Sequence, residues 1–286
     1  NDLDVLFEQQ KANQSLLIEL KNSLVKYHQA GRILFKQQKE LERLSKMGGA
    51  SRQSVYELEI NYFEIKEEER LKRQQILELK ADLESEKVIK EYLLSNSNFP
   101  ILAEESGANQ DLGNSFWVVD PLDGTSNYSR DFPMCCISIA LIHEKEITLG
   151  VINDFNRGML YEGSTDSKAK LNGEDIFVSS IHDKSKATLA TGLPAKGNFN
   201  KKSMSELSNE LVSWKKVRMI GSAAMSCAYV ASGQFDQYQE KGIFLWDIAA
   251  GLSIIKAAGG NYTFKSYPED QFKVDVIANN NCLCIK

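Results

Sequence analysis

The sequence predicts an α+β protein: a mixed domain over residues 82–286 carrying an N-terminal α-helical, coiled-coil hairpin over residues 1–81. Three observations carry this. The first of only five prolines is Pro100, and glycine occurs before it only at Gly31, Gly48 and Gly49, so little interrupts long helices there. Apolar residues in that stretch recur at helical spacing. After Pro100, apolar runs of strand length alternate with turn residues and helical stretches.

In chain order, Leu16, Leu20 and Leu24 set an apolar stripe on a first helix, and Leu58, Ile65, Leu79 and Leu83 set one on a second. The interruption KMGGAS at 46–51 is the turn between them, since paired glycines end one helix and Ser51 caps the next. Strands are predicted over 116–119, 135–142 and 147–152. Helices are predicted over 202–214, 223–232 and 248–258, the last ending at Gly259 and Gly260.

Composition narrows the function classes. A formal net charge of -5 supplies no basic field for nucleic acid. No run reaches the roughly 18 apolar residues of a membrane span, and the first ten residues lack the apolar core of a signal peptide. The reading is a soluble, cytoplasmic protein. Cys135, Cys136, Cys227, Cys282 and Cys284 have no metal-ligand spacing and sit in apolar neighbourhoods, as buried free thiols in a reducing compartment do.

The most informative segment is WVVDPLDGTSNY at 117–128. An apolar strand runs directly into two acids, a proline and a glycine. Mg²⁺ prefers oxygen ligands, and Asp120, Asp123 and the Leu122 carbonyl offer three from one tight turn. Gly124 allows close backbone approach, and a helix opening at Thr125 presents free N–H groups to a phosphate. The bland alternative is an Asp-rich turn, but two acids, a Pro lock and a helix start together favour a site. His28, His143 and His182 lie outside this segment, which argues against histidine chemistry.

Here the sequence resembles the inositol monophosphatase superfamily, whose D-P-x-D-G-T-x-N signature stands at 120–127. The second signature, W-D-x-A-x-G, stands as WDIAAG at 246–251, and the paired acids stand as AEES at 103–106. The resemblance implies a layered α/β/α/β/α sugar-phosphatase fold and two or three Mg²⁺ ions held by Glu104, Asp120, the Leu122 carbonyl, Asp123 and Asp247. Clustered carboxylates repel one another unless cations neutralise them, which agrees. Glu105 is left out, because adjacent acids on an extended segment point to opposite faces. Trp117 and Trp246 read as packing residues that stiffen the backbone beside ligand acids.

The same resemblance implies catalysis by a metal-activated water without a covalent intermediate. Glu104 and Thr125 take part, with Thr125 orienting the water together with an upstream acid at the start of a helix. That helix is expected to begin near Lys80, making Asp82 the matching acid. The family's own N-terminal helices and lysine-bearing β-hairpin are replaced here. Asp123, Gly124, Thr125 and Asp247 face the substrate, and Gly221, Ser222, Ala223 and Glu240 contact its ring hydroxyls. TGLP at 191–194 also resembles bacterial members of the family.

The expected activity is therefore Mg²⁺-dependent hydrolysis of an inositol phosphate or related sugar phosphate by a homodimer. A 3'(2'),5'-bisphosphate nucleotidase would share the metal site. A different class is an inactive phosphatase-like chain serving as a coiled-coil assembly module. RLSKMGGASRQSVYELE at 43–59 resembles the hairpin of bacterial membrane-fusion adaptor proteins.

Overall fold

Two helices of 45 residues, α1 (Asp2–Lys46) and α2 (Arg52–Asn96), follow from the near-absence of glycine and proline before Pro100. The computed structural model describes residues 2–193 and 200–283, so Pro194 and Cys284 lie outside the described residues. One compact unit comprises residues 8–81; the other comprises 82–286 together with 1–7. Among the described residues, no helix is long and apolar enough to cross a membrane.

Within the first unit the helices run antiparallel. Buried and half-buried positions alternate in steps of three and four, as Leu17, Leu20, Leu24, Tyr27, Gly31 and Leu34 on α1. On α2 they fall at Val55, Leu58, Tyr62, Ile65, Glu69, Lys72, Ile76 and Leu79. This heptad seam is that of a coiled coil. The stripe expected through Leu16 is corrected, because Leu16 is 45% exposed and Leu17 occupies the seam instead. Gly48 turns the chain with φ 79, and the Ser54 amide donates to Ser51 Oγ at 3.0 Å, capping α2.

The seam holds one acid, Glu69, 3% exposed. Lys66 at 2.6 Å, Arg73 at 2.7 Å and His28 at 3.0 Å converge on its carboxylate. Their hydrogen bonds, that of Lys66 foremost, hold its pKa down to about 2.

In the second unit, an eight-stranded sheet is built from β1 (Ile101–Ala103), β2 (Gly107–Ala108), β3 (Phe116–Asp123), β4 (Cys136–His143), β5 (Glu146–Asp154), β6 (Met159–Ser164), β7 (Ser167–Leu171) and β8 (Glu174–Asp175), in the order β2-β1-β3-β4-β5-β6-β7-β8. A five-stranded sheet follows from β9 (Thr188–Thr191), β10 (Lys216–Arg218), β11 (Gln237–Phe244), β12 (Asn261–Tyr267) and β13 (Asp270–Asn279), in the order β10-β9-β11-β13-β12. The remaining helices are α3 (Thr125–Tyr128), α4 (Lys201–Leu211), α5 (Ala223–Ala231) and α6 (Leu245–Ala257). Helices α5 and α6 pack on strands of both sheets. The end of α2 covers the first sheet's other face through Ile89 and Leu93, and Leu211 and Trp214 cover β9. The result is the expected five-layer α/β/α/β/α arrangement.

The middle layer is apolar all round, as a helix buried on both sides must be. Ile248, Leu252, Ile254 and Ile255 of α6 are completely buried, each contributing about 1.5–3 kcal/mol. The layer is also tight: a Cβ on Gly251 would lie 2.2 Å from the Cys227 Cβ of α5. The helix expected from residue 248 begins at Leu245, so Asp247 lies in its first turn. Cys135, Cys136 and Cys227 are buried, whereas Cys282, which follows β13, is exposed, against expectation.

Candidate active site

Strand β3 delivers the first acids. Its pairing with β4 shifts register between Asp120 and Asp123, because Pro121 cannot donate to the ladder. The Leu122 amide turns back to Asp120 Oδ1 at 2.9 Å, and Thr125 Oγ1 donates to the Leu122 carbonyl at 2.9 Å. Gly124 adopts φ 86, and a Cβ there would meet the Met134 carbonyl at 2.6 Å, so no other residue fits this turn. Thr125 opens α3 as expected, although the helix is only four residues long.

Helix α2 grips this turn and the AEES segment from one face. Ser85 Oγ donates to the Pro121 carbonyl at 3.0 Å, and the Glu105 amide donates to Glu86 Oε2 at 3.0 Å. Lys90 reaches Ser106 Oγ at 2.5 Å. Asp82, 7% exposed, lies three and four residues before Ser85 and Glu86 and so on the same helical face. The expected helix start near Lys80 is corrected: α2 continues unbroken through Asp82, since no glycine or proline stands between Ser51 and Pro100.

Glu104, Asp120 and Asp247 each bring a carboxylate oxygen within 4.8 Å of the others. Asp247 reaches this point from the first turn of α6, where its Oδ2 accepts the Phe244 amide at 3.0 Å. Burial raises all three pKa values: Glu104 to about 7, Asp120 and Asp247 well above the usual carboxylate range. Mutual repulsion adds to the effect on Asp120 and Asp247. Asp120 Oδ2 is buried with no donor against it, and only a proton shared with the neighbouring Glu104 carboxyl or a cation offsets its charge there. Three hard oxygen donors around an unsatisfied carboxylate fit a divalent metal such as Mg²⁺.

Asp123 is held differently. Its carboxylate accepts from Ser222 Oγ and from the amides of Ala224 at 2.8 Å and Ala223 at 3.4 Å, at the start of α5. Burial nonetheless pushes its pKa up to about 6, the hydrogen bonds from Ser222 and Ala224 opposing the rise. Ser222 in turn caps α5 by accepting the Met225 amide at 3.2 Å. Asn127 ties α3 to this corner, donating to the carbonyls of Met134 at 2.7 Å and Ile220 at 2.8 Å.

A cavity of about 1430 Å³ opens beside these groups, lined among others by Asp123, Gly221, Ser222, Ala223, Glu240 and Asp247. Burial raises the Glu240 pKa, and Tyr238 donates to its Oε2 at 3.0 Å. A Cβ on Gly192 would strike that carboxylate at 2.2 Å, so Gly192 makes room for Glu240.

The structure thus gathers Glu104, Asp120 and Asp247 into one cluster, and Asp123 with the substrate-side residues along the adjoining cavity. Sequence reasoning missed Ser85, Glu86, Asn127 and Tyr238. Glu86 and Ser85 share the helical face of Asp82, which is a usable signal. Two of the carbonyls that Asn127 reaches, those of Ile220 and Gly221, are nearly a hundred residues away, and nothing local announces them.

Residues 38–282 match the model of the inositol monophosphatase family. The chain is 41% identical over 182 residues to the Nus factor SuhB of Xylella fastidiosa, covering 63% of this chain and 66% of that protein. It is 36% identical over 189 residues to the inositol-1-monophosphatase of Synechocystis, covering 63% and 64%. These matches span about two thirds of the relatives' length. The solved structure of the inositol monophosphatase from Anabaena (Nostoc) superposes with a TM-score of 0.64 at 33% identity, covering 71% of this chain and 82% of that one.

Proposed function

The chain belongs to the inositol monophosphatase family, and from that premise we propose that it is a Mg²⁺-dependent phosphomonoesterase acting on an inositol phosphate or a related sugar phosphate. The observation that carries the reading is the triad of Glu104, Asp120 and Asp247 around the unsatisfied Asp120 Oδ2. These residues, with the Leu122 carbonyl and Asp123, would hold the metal. Mg²⁺ bound there supplies charge neutralisation, a more acidic water and stabilisation of the leaving oxygen.

The chain's own groups do the positioning. Thr125 Oγ1 spends its proton on the Leu122 carbonyl, leaving its lone pairs to accept from the attacking water. Asp82 is the acid assigned to orient that water together with Thr125. Asp123 is locked by Ser222 and Ala224, which keeps the DPLDG turn fixed relative to α5. Glu240, aimed by Tyr238, accepts hydrogen bonds from substrate hydroxyls, the role that favours a polyol.

The test is phosphate release from inositol 1-phosphate with and without Mg²⁺, with Asp123→Asn as the control. Mg²⁺-dependent release reduced about 100-fold or more in the variant is expected. Full activity in Asp123→Asn removes the metal assignment, and no release from a panel of phosphomonoesters removes the activity.

A further inference from the structure

The helical hairpin carries two broad outer faces of opposite charge. On the heptad frame set by its seam, the positions flanking one side are those next to His28, Arg73 and Arg32, which line a single shallow groove of about 320 Å³ with Leu24, Val25 and Gln29. This face holds Lys21, Arg32, Lys39 and Lys80 against Glu42 and Glu59, together with Lys66 and Arg73, which pair with Glu69, and Arg70, which pairs with Glu67. The positions flanking the seam's other side hold Glu19, Glu40, Glu57, Glu64, Glu68 and Glu78 against only Lys26. An ordinary solvated coiled coil mixes the two signs around each helix.

The faces also match along their length. The pairs Phe35 with Tyr62, His28 with Glu69 and Gly31 with Lys66 fix which α1 residue lies beside which α2 residue. On that scale the basic face places Lys21 and Lys80 at one level and Arg32 and Lys66 at a second, while Lys39 at a third stands beside Glu42 and Glu59. The acidic face places Glu19 and Glu78, then Glu64 and Glu68, at nearly the same first two levels, about 18 Å apart along the helices. Exposed apolar residues fall between the charges on both faces: Ile18, Val25 and Phe63 on the basic one, Ile33, Leu44 and Leu71 on the acidic one.

We propose that the hairpin docks a second copy of itself in register through these two levels, the basic face of one copy lying on the acidic face of the next. Such a contact is heterologous and leaves a free face of each sign at the ends, so association extends beyond a pair or closes into a ring. It involves residues 16–80 only and is independent of the phosphatase reading.

Charge-swap complementation on the full chain tests it. One variant carries Lys21→Glu, Arg32→Glu and Lys80→Glu; the other carries Glu19→Lys, Glu64→Lys and Glu68→Lys. All six positions are exposed, and unchanged helical circular dichroism verifies folding. Sedimentation is expected to show wild-type self-association weakened about tenfold or more in each variant and restored when the two are mixed. Identical masses for wild type and both variants overturn the proposal. So does loss in the first variant without restoration on mixing, the signature of a separate anionic partner on the basic face.

Discussion

Asp120 illustrates how much a single side chain reports. One oxygen closes its own turn onto the Leu122 amide, while the other is buried and unsatisfied. In the metal-free protein, Glu104 and Asp123 bind protons more tightly than the unfolded chain does, with pKa values raised from 4.5 to about 7 and from 3.8 to about 6. The folded state therefore holds more protons between those limits, and the stability these two groups contribute is full at low pH and lost as pH rises towards 7. Thermal melting in chelator is expected to show Tm falling from pH 5 to pH 7.5, with added Mg²⁺ abolishing most of the fall. A pH-independent Tm contradicts a compact acid cluster. Asp82→Asn is expected to lower kcat about 10²- to 10⁴-fold with little change in KM; an unchanged kcat, measured in the steady state, leaves Asp82 a structural residue. At this scale the acids of the DPLDG turn were legible as a candidate site, because hydrophobic strands rarely end in D-P-x-D-G by chance. The capture of Asp123 by α5 was not, since its partners Ser222 and Ala224 lie about a hundred residues downstream.

At the scale of elements, sequence signals succeeded where they were local. The Gly48–Gly49 turn and the Ser51 cap ended and began helices where expected. The start assigned near Lys80 had no local signal behind it, and α2 runs through. The stripe was displaced by one residue from Leu16 to Leu17 because both are leucine, and only the partner helix distinguishes them. The W-D-x-A-x-G motif gave no reason for its glycine, which the structure supplies in the crossing of α5 and α6. Gly251→Ala is expected to destabilise the protein by about 1–3 kcal/mol in urea unfolding, since its methyl meets the Cys227 backbone-anchored Cβ rather than a flexible side chain. In the hairpin, Glu69 has a pKa lowered from 4.5 to about 2, so its ion pairs stabilise above about pH 4.5 and are lost as pH falls towards 2. Circular dichroism of Glu69→Gln and wild type is expected to differ at pH 6 and converge near pH 2.

At the scale of the whole molecule, the alternation of strands and helices after Pro100 announced a mixed fold. It left the order of layers to long-range packing: α5 and α6 were recognisable as apolar helices, but their burial between two sheets is a property of the sheets. The acid cluster is assembled across those layers, Glu104 and Asp120 from the first sheet and Asp247 from the helix between the sheets. This has a consequence for biosynthesis. A ribosome releases Asp247 long after the other two, and the α5 residues that clasp Asp123 emerge only shortly before it. Any nascent or prematurely terminated chain therefore lacks one member of the acid cluster, and the complete cluster marks a chain that has been translated through α6.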